Sequence, residues 1–248
     1  MQETFPFGMP INDVRQKSLT PKSVFVLGVY ASAVHARWIG PDGRELIRAV
    51  GVATEPTIFW SGEGADEIIA RIELPAAAGH LKPALPGSNG PSGISLNERF
   101  LRPLGLSRSD TWLCDLLPRS RMNDGQASAL ARAYLPNLEK FGLPKFHWPT
   151  VPDALASDDR RQEILKEIDQ AQPDLLVTLG DQPLKWFASQ MDPRTHKRLS
   201  SFGSDNQRYG ELHEIELGGR RLQLLPLVHP RQASALGRSS TAWKATHC

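Results

Sequence analysis

Short apolar runs closed by glycine alternate along the chain with stretches of helical period. Residues 23–27 end at Gly28, and residues 174–179 end at Gly180; both predict buried strands. Residues 111–117 predict a third. Residues 35–39 and 46–52 flank a Pro-Asp-Gly turn at 41–43, which predicts a β-hairpin. Residues 208–217 and 220–228 flank Gly218-Gly219, a second hairpin signal. Helical patterns cover 65–72, 126–141 and 158–170, the last behind a capping Ser157. Two further helices are expected, from Pro183 to Met191 and over 241–248. Ser95 with Glu98 reads as a capping box opening another. Residues 76–93, rich in Pro, Gly and Ala, predict a long loop.

Apolar strands separated by helices imply an α/β fold. The expectation is a three-layer α/β/α sandwich around a central, mainly parallel sheet of four to five strands. At 248 residues a single domain is expected, with residues 1–20 as an N-terminal extension. In such sheets ligands sit beyond the carboxyl ends of the strands. The segments to watch are Gly28 to Ser32, Asp115, Gly180-Asp181 and His229-Pro230-Arg231.

Composition narrows the classes. Apolar residues at 40% and charged residues at 23% fit a soluble globular chain. No run approaches the roughly 18 apolar residues of a membrane helix. The first residues lack the charged and apolar halves of a signal peptide. Cytoplasmic placement without a membrane partner is therefore expected, with a monomer as the default. Two cysteines, Cys114 and Cys248, cannot build a disulfide framework, a four-cysteine zinc site or an iron–sulfur cluster. The seven histidines include no pair at helical metal spacing, so neither metal nor cofactor is expected. There is no phosphate-binding Gly-Lys-Ser/Thr loop and no Gly-x-Ser-x-Gly elbow. The net charge is only +2, but residues 194–248 hold nine Lys/Arg against four acids. That basic quarter points either to a polyanionic partner or to a solvated basic face.

Several segments together resemble the uracil-DNA glycosylase superfamily. They are Leu27-Gly-Val-Tyr-Ala-Ser32 after strand one, Gly90-Pro-Ser-Gly-Ile-Ser-Leu96, and Trp112-Leu-Cys-Asp115. The strand at 175–180 and Leu227-Val-His-Pro230 complete the ordered set. The resemblance spans residues 23–245 and implies that family's fold, with DNA as partner and hydrolysis of an N-glycosidic bond as the activity. It assigns His229 to stabilising the negative charge that collects on the leaving base. It makes Gly28, Val29, Tyr30, Ala31 and Ser32 the pocket floor, with Asn123 near the base. Arg231, Arg238 and Lys244 would grip phosphates beside a flipped nucleotide.

Two positions depart from the family pattern. Residues 28–32 contain no carboxylate or amide to handle the attacking water. The phenol of Tyr30 is a poor base at neutral pH, and Ser32 could position a water without activating it. Asp115 stands where the family's base-reading Asn would stand. An ionised Asp offers acceptors only, which suits a base edge bearing N–H donors. Alternatively Asp115 has become the water-activating carboxylate, or it pairs with Arg119 or Arg121 at a strand end. Phe59 and Trp60 could supply a stacking ring, although core packing is the commoner role for such residues. The competing reading is a catalytically inactive module that keeps the fold and binds nucleic acid or a nucleotide-like ligand.

Overall fold

The computed structural model describes residues 2–203 and 209–232. In chain order its elements begin with β1 (Val24–Tyr30), β2 (Ala33–Ile39), β3 (Glu45–Thr54), α1 (Ala65–Ala70) and β4 (His80–Pro83). Then follow α2 (Pro91–Ser95), β5 (Thr111–Leu117), α3 (Asp124–Ala129), α4 (Asp158–Ala171) and β6 (Leu175–Leu179). The described elements close with α5 (Asp181–Pro183), α6 (Ser189–Met191), β7 (His213–Leu217) and β8 (Arg220–Leu227). The helix expected over 241–248 lies outside the described residues. The chain forms an α/β structure that divides into two compact units. One comprises the described residues up to Val14 with Ala31–Pro91 and Arg119–Pro152. The other comprises Arg15–Tyr30, Ser92–Pro118 and the described residues from Asp153 onward.

The first unit carries an antiparallel sheet in the order β3-β2-β4. The expected hairpin is present, with Ala36 opposite Val50 and Trp38 opposite Ile47. Its core is aromatic: the Trp38 ring meets the edges of Phe7 and Phe141, and Tyr134 lies against both Trp38 and Phe7. Two rings find polar partners, Trp38 Nε1 at Ala78 O (2.7 Å) and the Tyr134 hydroxyl at Pro144 O (2.7 Å), as buried indole and phenol groups require. Residues 2–14, expected as part of an extension, belong to this unit, with Phe5, Phe7 and Ile11 buried in its core. The loop expected over 76–93 is also broken, because β4 adds to β2 with Trp38 opposite Leu81. His-Leu-Lys-Pro has one apolar residue and a proline, so it carries no strand signal. Proline is tolerated there because β4 is an edge strand.

The second unit holds a mixed, mostly parallel five-stranded sheet in the order β5-β1-β6-β8-β7. The first four strands run parallel, and β7 pairs antiparallel with β8 through the Gly218-Gly219 hairpin. The apolar runs read from the sequence are these buried parallel strands, as continuous burial demands. From β1 the chain goes to β5 on one side, then returns to place β6 on the other. The strand order therefore reverses between β1 and β6, which is where open α/β sheets form their crevice.

Helix α4 begins where the sequence placed it. The Ser157 hydroxyl accepts from the backbone N–H of Arg160 at 3.2 Å. It buries Ile164, Ile168 and Ala171 on one stripe, together with Arg160 one turn earlier. The capping box expected at Ser95 is absent. Ser95 has helical dihedrals because the helix opens at Pro91, and its hydroxyl instead donates to Pro230 O at 2.9 Å.

Candidate functional site

A cleft of about 560 Å³ opens at the carboxyl ends of β1, β6 and β8. Val29 lines it from β1, and Leu179, Gly180, Asp181 and Gln182 from the end of β6. Val228, His229 and Arg231 follow β8, and Leu199 and Ser200 close one side. The position is the strand-order reversal, and the volume falls within the range of small-ligand sites, ~300–1,000 Å³.

The walls are tied together by backbone geometry. The N–H of Gly180 donates to Leu227 O at 2.7 Å, joining the end of β6 to the end of β8. Gly180 has φ +86° and ψ −173°, a conformation essentially reserved for glycine. A methyl there would make only ordinary contact with the His229 Cβ at 3.5 Å, so it is the dihedral and not space that calls for glycine. The N–H of Val228 donates to the buried Tyr209 hydroxyl at 3.1 Å. Burial pushes that phenol up to about 12, so it stays a neutral partner.

His229 is half-buried, and its imidazole is pushed down to about 4, by desolvation first and by the Arg231 charge second. The ring is therefore neutral at physiological pH. Its Nδ1 accepts the backbone N–H of Arg231 at 3.3 Å. That bond assigns the proton to Nε2, leaving a neutral N–H donor for a ligand oxygen. The Arg231 guanidinium supplies a permanent positive charge to the same cleft.

The other anticipated residues are spread more widely. Gly28 and Tyr30 do not form a turn after strand one. They continue β1, paired with Asp115 and Leu117, because Val29 and Tyr30 are good strand formers that keep the ladder going. Among residues 28–32 the cleft is lined by Val29. Ala31 and Ser32 belong to the first unit, where the Ser32 N–H donates to the buried Glu55 carboxylate at 2.9 Å. Asn123 also belongs to that unit and caps α3, its side-chain oxygen accepting from Gln126 N at 2.9 Å. Phe59 and Trp60 are both buried. Arg238 and Lys244 lie outside the described residues.

Asp115 sits within β5 and not at its end, is 4% exposed, and is not among the residues lining the cleft. Arg119 pairs with Asp13 (2.5 Å) and Glu3 (3.4 Å), and Arg121 with Glu3 (3.4 Å), so neither expected arginine serves Asp115. Burial raises its carboxyl to about 7, against the opposing pull of Arg160. Near neutrality it is partly protonated and then offers a donor as well as acceptors, the pair an Asn amide would offer. Arg160 reaches the backbone beside it. Its guanidinium donates to Asp115 O (2.8 Å) and Leu116 O (3.2 Å), and to Glu163 (2.8 Å) and Glu167 (3.2 Å). Glu167 in turn accepts from Trp112 Nε1 at 3.0 Å. An arginine on the buried stripe of an amphipathic helix is invisible to hydrophobic periodicity, and sequence reasoning passed over it. It passed over the part played by Asp181 in the cleft too, although Gly180-Asp181 was marked as a strand-end segment.

Among the described residues no cluster of three or more His, Cys, Asp or Glu is arranged to hold a metal ion. No described helix is long and apolar enough to cross a membrane. Comparison with models of known protein families gives no match, and comparison with curated proteins gives no significant one.

Proposed function

We propose that this chain is a DNA base-recognition protein that excises a damaged or deaminated base by hydrolysing its N-glycosidic bond, in the manner of the uracil-DNA glycosylases it resembles. One observation carries the reading. At the strand-order reversal, a neutral histidine with an Nε2–H donor lines a cleft of about 560 Å³, roomy enough for a nucleotide, beside a permanent cation. Excision leaves an electron pair on the departing base, so a preorganised neutral donor at the base oxygen lowers the barrier as charge develops. A donor that stays neutral also avoids paying to bury a second cation beside Arg231. Arg231 can contact a phosphate of the extruded nucleotide or the anionic base itself.

The test is an excision screen over single-stranded and duplex DNA carrying uracil, hypoxanthine, xanthine or an alkylated base. Release of one of these by the wild-type protein, lost in His229→Ala, supports the reading. DNA binding without release of any base would favour the inactive-module alternative, which the absence of an acid from residues 28–32 motivates. Failure to bind DNA at low salt would remove the nucleic-acid reading.

A further inference from the structure

The excision reading leaves the attacking water without an activating group, because residues 28–32 hold no carboxylate. The cleft itself supplies one. We infer that Asp181 is the catalytic carboxylate that takes the proton of the attacking water, an assignment that rests on the excision reading.

Among the described residues lining the cleft, Asp181 is the one carboxylate. Each other polar group there is unsuited to the task. The Arg231 guanidinium remains protonated. The Gln182 amide and the Ser200 hydroxyl are too weakly basic. The Nδ1 of His229 is occupied by Arg231 N, and its Nε2 carries the proton that the leaving base needs.

Asp181 is also held in place. Its Oδ1 accepts the backbone N–H of Leu199 at 2.8 Å, across the mouth of the same cleft. The described residues give its Oδ2 no hydrogen-bond partner and the carboxylate no ion pair. It follows directly on Gly180, whose N–H is bonded to Leu227 O, two residues before His229. The acid and the histidine thus follow the ends of two neighbouring strands, β6 and β8, that this bond joins. A cleft-lining carboxylate with one oxygen fixed by a backbone donor suits a water-orienting base.

The step balances without a co-reactant. The water oxygen bonds to the sugar C1′ as the C1′–N bond breaks. The bonding pair leaves with the base, where the Nε2–H of His229 stabilises it. One water proton passes to Asp181 and from there to the departing base or to solvent. The products are the free base and an abasic site.

Asp181→Asn keeps an acceptor for Leu199 N and removes the base. With a substrate that the wild-type protein excises, kcat is expected to fall about 100-fold or more while KM stays within twofold. Asp181→Ala should be equally slow, and sodium azide should restore turnover, since azide attacks C1′ without surrendering a proton. A purely structural Asp181 would give no azide rescue and a change in KM. The inference is overturned if Asp181→Asn retains wild-type kcat, or if azide fails to accelerate Asp181→Ala. Either result, alongside wild-type excision that depends on His229, leaves the excision reading standing. A wild-type protein that excises no base overturns both.

Discussion

Asp115 shows how far one side chain's chemistry is set by burial. Its carboxyl rises from 3.8 to about 7 because desolvation outweighs the attraction of Arg160. The folded state therefore holds a proton that the unfolded chain releases. Its contribution to stability is complete below about pH 4 and is lost as pH rises through about 7. At about 1.4 kcal/mol per pH unit, the loss is on the order of 4 kcal/mol across that window. Asp115→Asn should abolish this dependence, matching the wild type near pH 4 and exceeding it in denaturant midpoint at pH 8. Parallel stability profiles for the two proteins would contradict it. The sequence revealed an acid in an apolar run, and its motif context suggested a strand end. The strand itself was legible over 111–117, as observed, but the apolar pattern could not reveal that Asp115 is buried inside it, away from the cleft. His229 was legible for the opposite reason: a His-Pro pair after a long apolar strand leaves few other places for the ring.

At the scale of elements, the contact between α4 and β5 is the clearest case of polar groups organising a buried surface. The Arg160 guanidinium satisfies two strand carbonyls and two glutamates. Glu167 is additionally engaged by Trp112. Removing the guanidinium leaves two strand carbonyls without their donor, at a cost of about 1–3 kcal/mol, while Glu163 and Glu167 keep Arg15 within ion-pair distance. Arg160→Met, close in volume, should lower the denaturant midpoint accordingly with an unchanged m-value. A loss under 1 kcal/mol would show that the network is incidental. The main strands and α4 could be read from periodicity because each buries a whole face or stripe. Strand β4 could not, since His80 to Pro83 form an edge with alternating, half-exposed side chains. The start of α2 was misplaced for a related reason. Pro91 is a good first helical residue, but the glycines and serines around it read as loop.

For the whole molecule, the sequence conveyed the α/β class and the mostly parallel sheet. It did not convey the division into two units, because the chain crosses between them several times with no linker to mark the boundaries. Nor does net charge describe the surface. Arg231 opens onto the cleft and has no acidic partner among the described residues, whereas Arg194 is neutralised by Asp192 and Glu216. On the proposed function, Arg231→Ala should weaken DNA binding across all sequences and lower the salt-dependence slope by about one. Arg194→Ala should leave that slope unchanged. The central claim is that His229 stabilises a departing base, and free-base release measures it most directly. Wild-type protein and His229→Ala should be compared on the same base-modified DNA, with DNA affinity determined on the same samples. The account predicts release by the wild type, a fall of at least ~100-fold in the variant, and equal DNA affinity. Equal rates of base release by the two proteins would contradict it.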